Sequence, residues 1–195
     1  MIRTLRLLAT VSLITLCCAA PAAAQSAAAV DYRVLATSRT STMEKEMNAA
    51  ADAGYRFMSV MGGETAFGGK EVVTVMGKPA GDTTRYEYRL LATSRTSTMQ
   101  KEMQAAADRG FEYVGQTVFE SLFGGKEVVC ILQRNLDEPA RAKYEYRLLA
   151  TNRTSTMQKE LKQVGDLGFE VVGMTVGQTA GGGNELVTIT RRPVK

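Results

Sequence analysis

The chain of 195 residues contains no histidine and no tryptophan, only three cysteines and only four prolines. The missing histidine removes the side chain most used for general acid–base work and for binding transition metals. Cys17 and Cys18 lie in an N-terminal apolar segment, so Cys130 alone remains beyond it. One thiol cannot close an internal disulfide, even in an oxidising compartment. The longest apolar run, Leu7 to Ala20, is interrupted only by small hydroxyls and the two cysteines, and it is too short for a stable membrane span. Charge of one sign is also scarce. The 24 basic residues include Arg3 and Arg6 of that segment, and the 22 that follow face 20 acids, a balance of +2. So small an excess argues against nucleic acid or an anionic membrane surface as partner.

The first 24 residues have the layout of a secretory signal peptide: Arg3 and Arg6, then the apolar run, then Ala22, Ala23 and Ala24 before Gln25. Cleavage near Ala24 and export to the periplasm or beyond are expected. Leu16 precedes Cys17 and Cys17 precedes Cys18, whereas a lipid-anchoring motif needs a small residue before its cysteine. A soluble exported form is therefore expected.

What the remainder has in abundance is itself. The segment from Asp31 to Met43 returns almost unchanged from Glu87 to Met99 and from Glu145 to Met157. The copies align without a gap over residues 31–78, 87–134 and 145–192, 48 residues each. Short connections, Pro79 to Tyr86 and Asn135 to Tyr144, separate them.

Each copy alternates its periodicities in the same way. A strand candidate comes first, Tyr88 to Thr93 in copy two. Ser41, Ser97 and Ser155 stand three residues before Glu44, Gln100 and Gln158, the spacing of a capping box. Apolar residues then recur at helical spacing, as in Met43, Met47 and Ala50, or Met157, Leu161 and Val164. Gly54, Gly110 and Gly168 are placed to end each helix in the left-handed conformation.

Second strands follow at Tyr55 to Met61, Phe111 to Val118 and Phe169 to Val176. Gly-rich turns then lead into third strands, on which Val73 and Val75, Val129 and Ile131, or Val187 and Ile189 share one face. The expected architecture is α+β: three tandem β-α-β-β repeats, each a split β-α-β sheet of three strands with one helix on one face. The third strand should lie in the middle, antiparallel to its neighbours, with a right-handed crossover.

A unit this short buries at most about 60% of its unfolded surface and is marginal alone. Val72 and Met76, Val128 and Leu132, and Leu186 lie on the other face of the third strand, taken to be the one the helix leaves open. The repeats are therefore expected to pack on one another, or on partner chains, through that face.

In copy three, Tyr144-Glu-Tyr-Arg147 opens a strand, Leu161 to Gly168 closes a helix, Phe169-Glu-Val-Val172 follows it, and Leu186 to Arg192 ends the copy. This pattern resembles a small bacterial family, the domain-of-unknown-function family numbered 4177. Members usually carry Gly-Trp-Glu after the helix; Tyr55, Phe111 or Phe169 replaces the tryptophan here, and Arg56 replaces the acid in copy one. The resemblance implies a fold and a bacterial context, and it brings no activity with it.

Several features invite a functional interpretation. Ser38 to Thr42, Ser94 to Thr98 and Asn152 to Thr156 each place hydroxyls and an arginine at a helix start, where free amides and the helix dipole favour an anion. Arg39, Ser41, Arg95, Ser97, Arg153 and Ser155 are the candidates for a small anion; simple capping is the plainer account. Phe67, Phe119 and Phe123, around the Gly-rich turns, are candidates for a protein-binding tip, unless they tuck against a neighbouring sheet.

The remaining features have plain structural explanations. Thr42-Met-Glu-Lys45 only imitates a Ser-x-x-Lys nucleophile motif, and its companion motifs are missing. The methionines, Met43, Met47, Met99 and Met103 with Met58, Met61, Met76 and Met174, are expected to fill the core rather than bind copper. Cys130 has no histidine partner and makes a poor nucleophile. No catalytic residue, cofactor or metal ligand is assigned. The function expected from sequence is an exported non-catalytic repeat protein that binds a protein or a small anion, or acts structurally. A hydrolase-like enzyme with a carboxylate or threonine site at a repeat junction is the alternative.

Overall fold

A computed structural model of the chain describes residues 29–64, 69–120, 126–178 and 183–194. The expected leader, Phe67, Phe123 and most of the Gly-rich turns lie outside the described residues.

The order of elements is the same in each repeat. Repeat one runs β1 (Val30–Thr37), α1 (Thr40–Asp52), β2 (Arg56–Glu64) and β3 (Lys70–Pro79). Repeat two runs β4 (Tyr86–Thr93), α2 (Thr96–Ala107), β5 (Glu112–Glu120) and β6 (Lys126–Asn135). Repeat three runs β7 (Tyr144–Thr151), α3 (Thr154–Asp166), β8 (Glu170–Gln178) and β9 (Asn184–Pro193). Each repeat forms its own three-stranded sheet, in the orders β1-β3-β2, β4-β6-β5 and β7-β9-β8. Every pairing is antiparallel, so the two strands flanking each centre run parallel to one another, as a helix-linked pair should. The expected α+β architecture, repeated three times, is the one found. The central strands run into the connections, reaching Pro79 and Asn135, so the linkers shrink to residues 80–85 and 136–143.

The helices end as their sequence dictates. Gly54, Gly110 and Gly168 adopt φ of 86°, 85° and 82°. In repeat one the Gly54 N–H donates to Ala51 O at 2.8 Å and the Tyr55 N–H to Ala50 O at 3.0 Å, the paired bonds of a Schellman closure. Their beginnings differ from expectation. Arg39, Arg95 and Arg153 occupy the N-cap positions without a side-chain capping bond, and the three serines lie one residue inside the helix. The capping boxes therefore do not form. Thr37, Thr93 and Thr151 instead accept the N–H groups of Arg39, Arg95 and Arg153 through their hydroxyls.

The faces of the sheets are also the reverse of those expected. Each helix covers the face that carries Val72, Thr74 and Met76, or Val128, Cys130 and Leu132, or Leu186 and Thr188. The other face, Val129 with Ile131 and Val187 with Ile189, packs on the preceding repeat. Both faces of the central strand are apolar, so alternation alone could not say which one the helix takes. The expectation that repeats pack on one another holds. Met43, Met47, Val72 and Met76 share one cluster with Tyr88, Phe119, Val129 and Ile131 of repeat two. Met99, Met103 and Leu132 share another with Tyr146 and Ile189 of repeat three. Repeat three has only Leu149, Met157, Val164 and Phe169 as a buried cluster of its own.

The helix methionines are core, since Met43, Met47, Met99 and Met103 are all buried, as is Met76 on β3. Met58, Met61 and Met174, also expected in the core, are exposed instead. Met61 is on the outer face of sheet one, and Met174 is on the helix side of sheet three beyond the reach of α3.

Candidate functional site

Two seams join the three repeats, and the same side-chain positions build both. In the first, β4 presents its outer edge to α1. The Asn48 carboxamide pairs with both backbone groups of Tyr88: the Tyr88 N–H donates to Asn48 Oδ1 at 2.8 Å, and Asn48 Nδ2 donates to Tyr88 O at 2.9 Å. One turn earlier Glu44 Oε2 accepts the Leu90 N–H at 2.8 Å. The helix thus replaces a fourth strand with side chains and blocks an edge that would otherwise be open to pairing. In the second seam, Gln104 Oε1 accepts the Tyr146 N–H at 3.0 Å, and Gln100 Oε1 accepts the Leu148 N–H at 2.7 Å. Gln100 Nε2 donates to Tyr146 O at 2.8 Å. The Glu or Gln positions expected to cap their own helices therefore join one repeat to the next.

Tyrosines pin the other side of each seam. Tyr88 is buried, and its hydroxyl accepts the Phe57 N–H at 2.7 Å, beside the bulge in β2. Tyr146 repeats this with the Tyr113 N–H at 2.8 Å, beside the bulge in β5. Burial raises both phenol pKa values, that of Tyr88 to about 12. Close sheet contact needs glycine. A Cβ on Gly115 would sit 2.8 Å from the Phe57 ring, and one on Gly173 would sit 2.9 Å from Tyr113 Cζ. At Gly62, β2 approaches the Val118 backbone carbonyl of β5 so closely that no side chain would fit.

The three candidate anion sites do not share one environment. Arg39, Arg95 and Arg153 are exposed at the helix starts, as are Ser41, Ser97 and Ser155. A crevice between repeats two and three includes Arg95 and Thr96 but also Glu185, whose carboxylate accepts the Thr96 hydroxyl at 2.9 Å. Its volume of about 10 Å³ has room for about one water. Glu44 and Glu102 line the hollow beside Ser41. No arginine closes over an empty pocket of matching shape at these starts.

Phe119 is 3% exposed and packs into the cluster of repeat one, so it is not available as a protein-binding tip. Gly62, the residue before its structural equivalent in copy one, leaves room at this seam. Cys130 is fully buried, and burial alone raises its thiol pKa to about 12, which leaves it protonated and inert at neutral pH. Tyr113 and Gln116 lie near it at the second seam. Burial likewise raises the Tyr113 pKa, and the Gln116 amide finds no partner there.

Most of the other strong polar contacts brace the linkers and strand ends. Arg85 pairs with Asp137 at 2.8 Å, Arg192 with Glu145 at 2.6 Å, and Arg134 with Glu87. Lys143 lies between Glu112 at 2.6 Å and Glu138 at 2.7 Å, and these two acids raise its pKa. Among the described residues no group of three or more His, Cys, Asp or Glu side chains could hold a metal ion. Among them, too, no helix is long and apolar enough to cross a membrane.

What sequence reasoning missed are the two ends of the stack. Repeat one has no predecessor, and its outer face exposes Tyr32 (60%), Val34 (64%) and Met61 (57%). Repeat three has no successor, and beside α3 it exposes Val171 (54%), Met174 (62%) and Val176 (52%). The signal was present in the repeats: Tyr32 aligns with Tyr88 and Tyr146, which are both buried. Compared with known proteins, the chain matches no family model, no curated protein and no solved structure.

Proposed function

We propose that this is an exported, non-catalytic repeat protein that works by surface contact, holding a protein partner at the apolar ends of its stack. The observation that carries this reading is the exposure of Tyr32 and Val34 at one end and Met174 and Val176 at the other, on surfaces of the kind that both seams bury. Exposed apolar surface gathered in this way marks interaction sites on soluble proteins. The side chains best suited to chemistry are engaged in architecture: Glu44, Asn48, Gln100 and Gln104 bridge repeats, and Glu87, Glu112 and Glu145 pair with basic residues. The Thr96–Glu185 pair at the second junction has too little open volume beside it to admit a substrate. Resemblance to the family numbered 4177 agrees with the repeat plan and adds no activity.

A photo-crosslinking residue placed at Val34, Met61 or Met174 in the living source cell tests the reading, with Ser41 and Ser97 as controls. Discrete covalent adducts are expected from the end positions and none from the helix starts. An absence of adducts at all three end positions would sink it. A thermal shift with phosphate or sulfate that vanishes in Arg95→Ala would move the function to the helix starts instead. A ligand at a hundred times its dissociation constant adds about 2.7 kcal/mol, well within reach of such a melt.

A further inference from the structure

Resting on that reading, we propose that the partner held at these ends is a second copy of this chain, docked head to tail so that repeat three of one molecule precedes repeat one of the next. The internal seams are the template. Each brings the helix side of one repeat against the outer face of the following repeat, and the two unpartnered surfaces of the molecule are one of each kind.

The matching runs position by position. At the head, Tyr32 and Val34 stand where Tyr88 with Leu90, and Tyr146 with Leu148, meet the preceding helix. At the tail, Gln158 is exposed at the position of Glu44 and Gln100, ready to accept the Val34 N–H. The Val171 N–H, beside the bulge of β8, stands where Phe57 and Tyr113 donate to a tyrosine hydroxyl, and Tyr32 supplies that hydroxyl.

Steric fit follows the same register. The seams set an aromatic ring against glycine, Phe57 on Gly115 and Tyr113 on Gly173. The joint would set the smaller Val171 against the larger Ser59. Val118 and Gly177 hold equivalent places at the second seam, where Gly177 lies against Val128, the strand partner of Val118. The joint repeats this pairing with Val176 and Gly63.

One position departs from the template. Lys162 replaces Asn48 and Gln104, and an ammonium cannot accept the Tyr32 N–H. It faces a compensating charge, because Asn48 and Glu87 line one crevice at the first seam, and Asp31 is the head equivalent of Glu87. The joint exchanges a hydrogen bond for an exposed ion pair, which contributes little in water. It is thus weaker than the seams, and association should be reversible and dependent on concentration. A head-to-tail contact of this kind gives a ring if its rotation closes and a filament if it does not.

The test uses sedimentation velocity on purified protein with two blocked variants, Val34→Asp at the head and Met174→Asp at the tail. Both residues are more than 60% exposed, so the charge is tolerated by the fold, with circular dichroism as the check. The wild-type mass is expected to rise above the monomer with concentration. Each variant alone should stay monomeric, and an equimolar mixture of the two should form a dimer that grows no further. Three results would each overturn the proposal: a wild type monomeric up to its solubility limit, a single variant that associates as the wild type does, or a mixture that stays monomeric. In the cell, end-position adducts to a different protein would refute self-docking while leaving the contact function intact.

Discussion

Asn48 tests whether the side-chain bridges at the seams hold the repeats together or merely accompany apolar packing. Its carboxamide makes two bonds to the Tyr88 backbone, at 2.8 and 2.9 Å, and a third to Glu44 O at 2.8 Å. Asn48→Ala removes the two inter-repeat bonds, each with a net value of about 0.5–1.5 kcal/mol. It also leaves the Tyr88 N–H and C=O without a protein partner. An open crevice of about 400 Å³ lies beside them, so water can reach the edge and the full desolvation cost of about 1–3 kcal/mol per group is not incurred. Alanine is the better helix former by up to about 0.7 kcal/mol, which offsets part of the loss. The balance is a destabilisation of about 1–2.5 kcal/mol.

The matched control is Lys162→Ala, at the same place on α3, where only an exposed pair with Asp166 at 3.2 Å is lost. That change should stay within about 0.5 kcal/mol of zero. Urea denaturation followed by circular dichroism measures both. Because repeat stacks can lose all-or-none behaviour, the two variants should be compared for the whole transition and not only at its midpoint. Equal and small effects for the two substitutions would show that the edge bridges contribute nothing and that the seams are held by apolar contact alone.

Three further outcomes follow from named residues. Cys130 should resist thiol reagents at pH 8 in the native protein and react on unfolding. Its folded pKa, raised by burial from 9.0 to about 12, implies stability that is fully present below 9 and falls as pH rises from 9 toward about 12; Cys130→Ala should remove that portion in an alkaline titration of unfolding, leaving a fall that begins near 10 from the buried Tyr88. Gly173→Ala would press a methyl onto the Tyr113 ring, 2.9 Å from Cζ and closer still to the hydroxyl, and should cost about 1–3 kcal/mol; adding Tyr113→Phe should recover part of this in a double-mutant cycle. Gly168 has φ of 82° with open space around it, so Gly168→Ala should cost about 1–2 kcal/mol from backbone conformation alone, whereas Gly165→Ala, inside α3 and equally unobstructed, should stabilise by up to about 1 kcal/mol; urea midpoints moving in the same direction would contradict this assignment.

Local signals carried most of the fold. The helix stripe of Met43, Met47 and Ala50, the left-handed glycine that follows, and the alternation on each third strand are short-range features, and each produced the element expected of it. What was not legible depends on contacts between repeats. Ser41 with Glu44 has the spacing of a capping box, but Glu44 finds the Leu90 N–H forty-six residues away, and no local pattern distinguishes the two partners. The apolar faces of β3 and β6 were recognised and their roles exchanged, because a central strand covered on both sides has no polar face to orient it. The open ends were hidden for a related reason: Tyr32 and Tyr88 have the same neighbours in sequence, and only stacking makes one buried and the other exposed.

Stacking also explains why the unit occurs in series. The cluster under α1 is completed by Tyr88, Phe119, Val129 and Ile131 of the next repeat, and the cluster under α2 by Tyr146 and Ile189. A helix in this arrangement serves two sheets, one through its apolar stripe and one through Glu44 and Asn48 or their equivalents. A single 48-residue copy would leave that second sheet surface wet and its first edge strand unpaired, conditions under which so small a domain is marginal. Each added repeat covers one such surface and creates another. The terminal copy limits this process only in part: Lys162 removes one acceptor, and α3 buries Met157 and Val164 where α1 buries four residues. Yet Gln158, Val171 and Val176 keep the remaining complementarity. An end meant only to stop the series would be expected to carry charge at those positions too, and the retained apolar strip at β8 is the reason to look for a molecule that continues the stack.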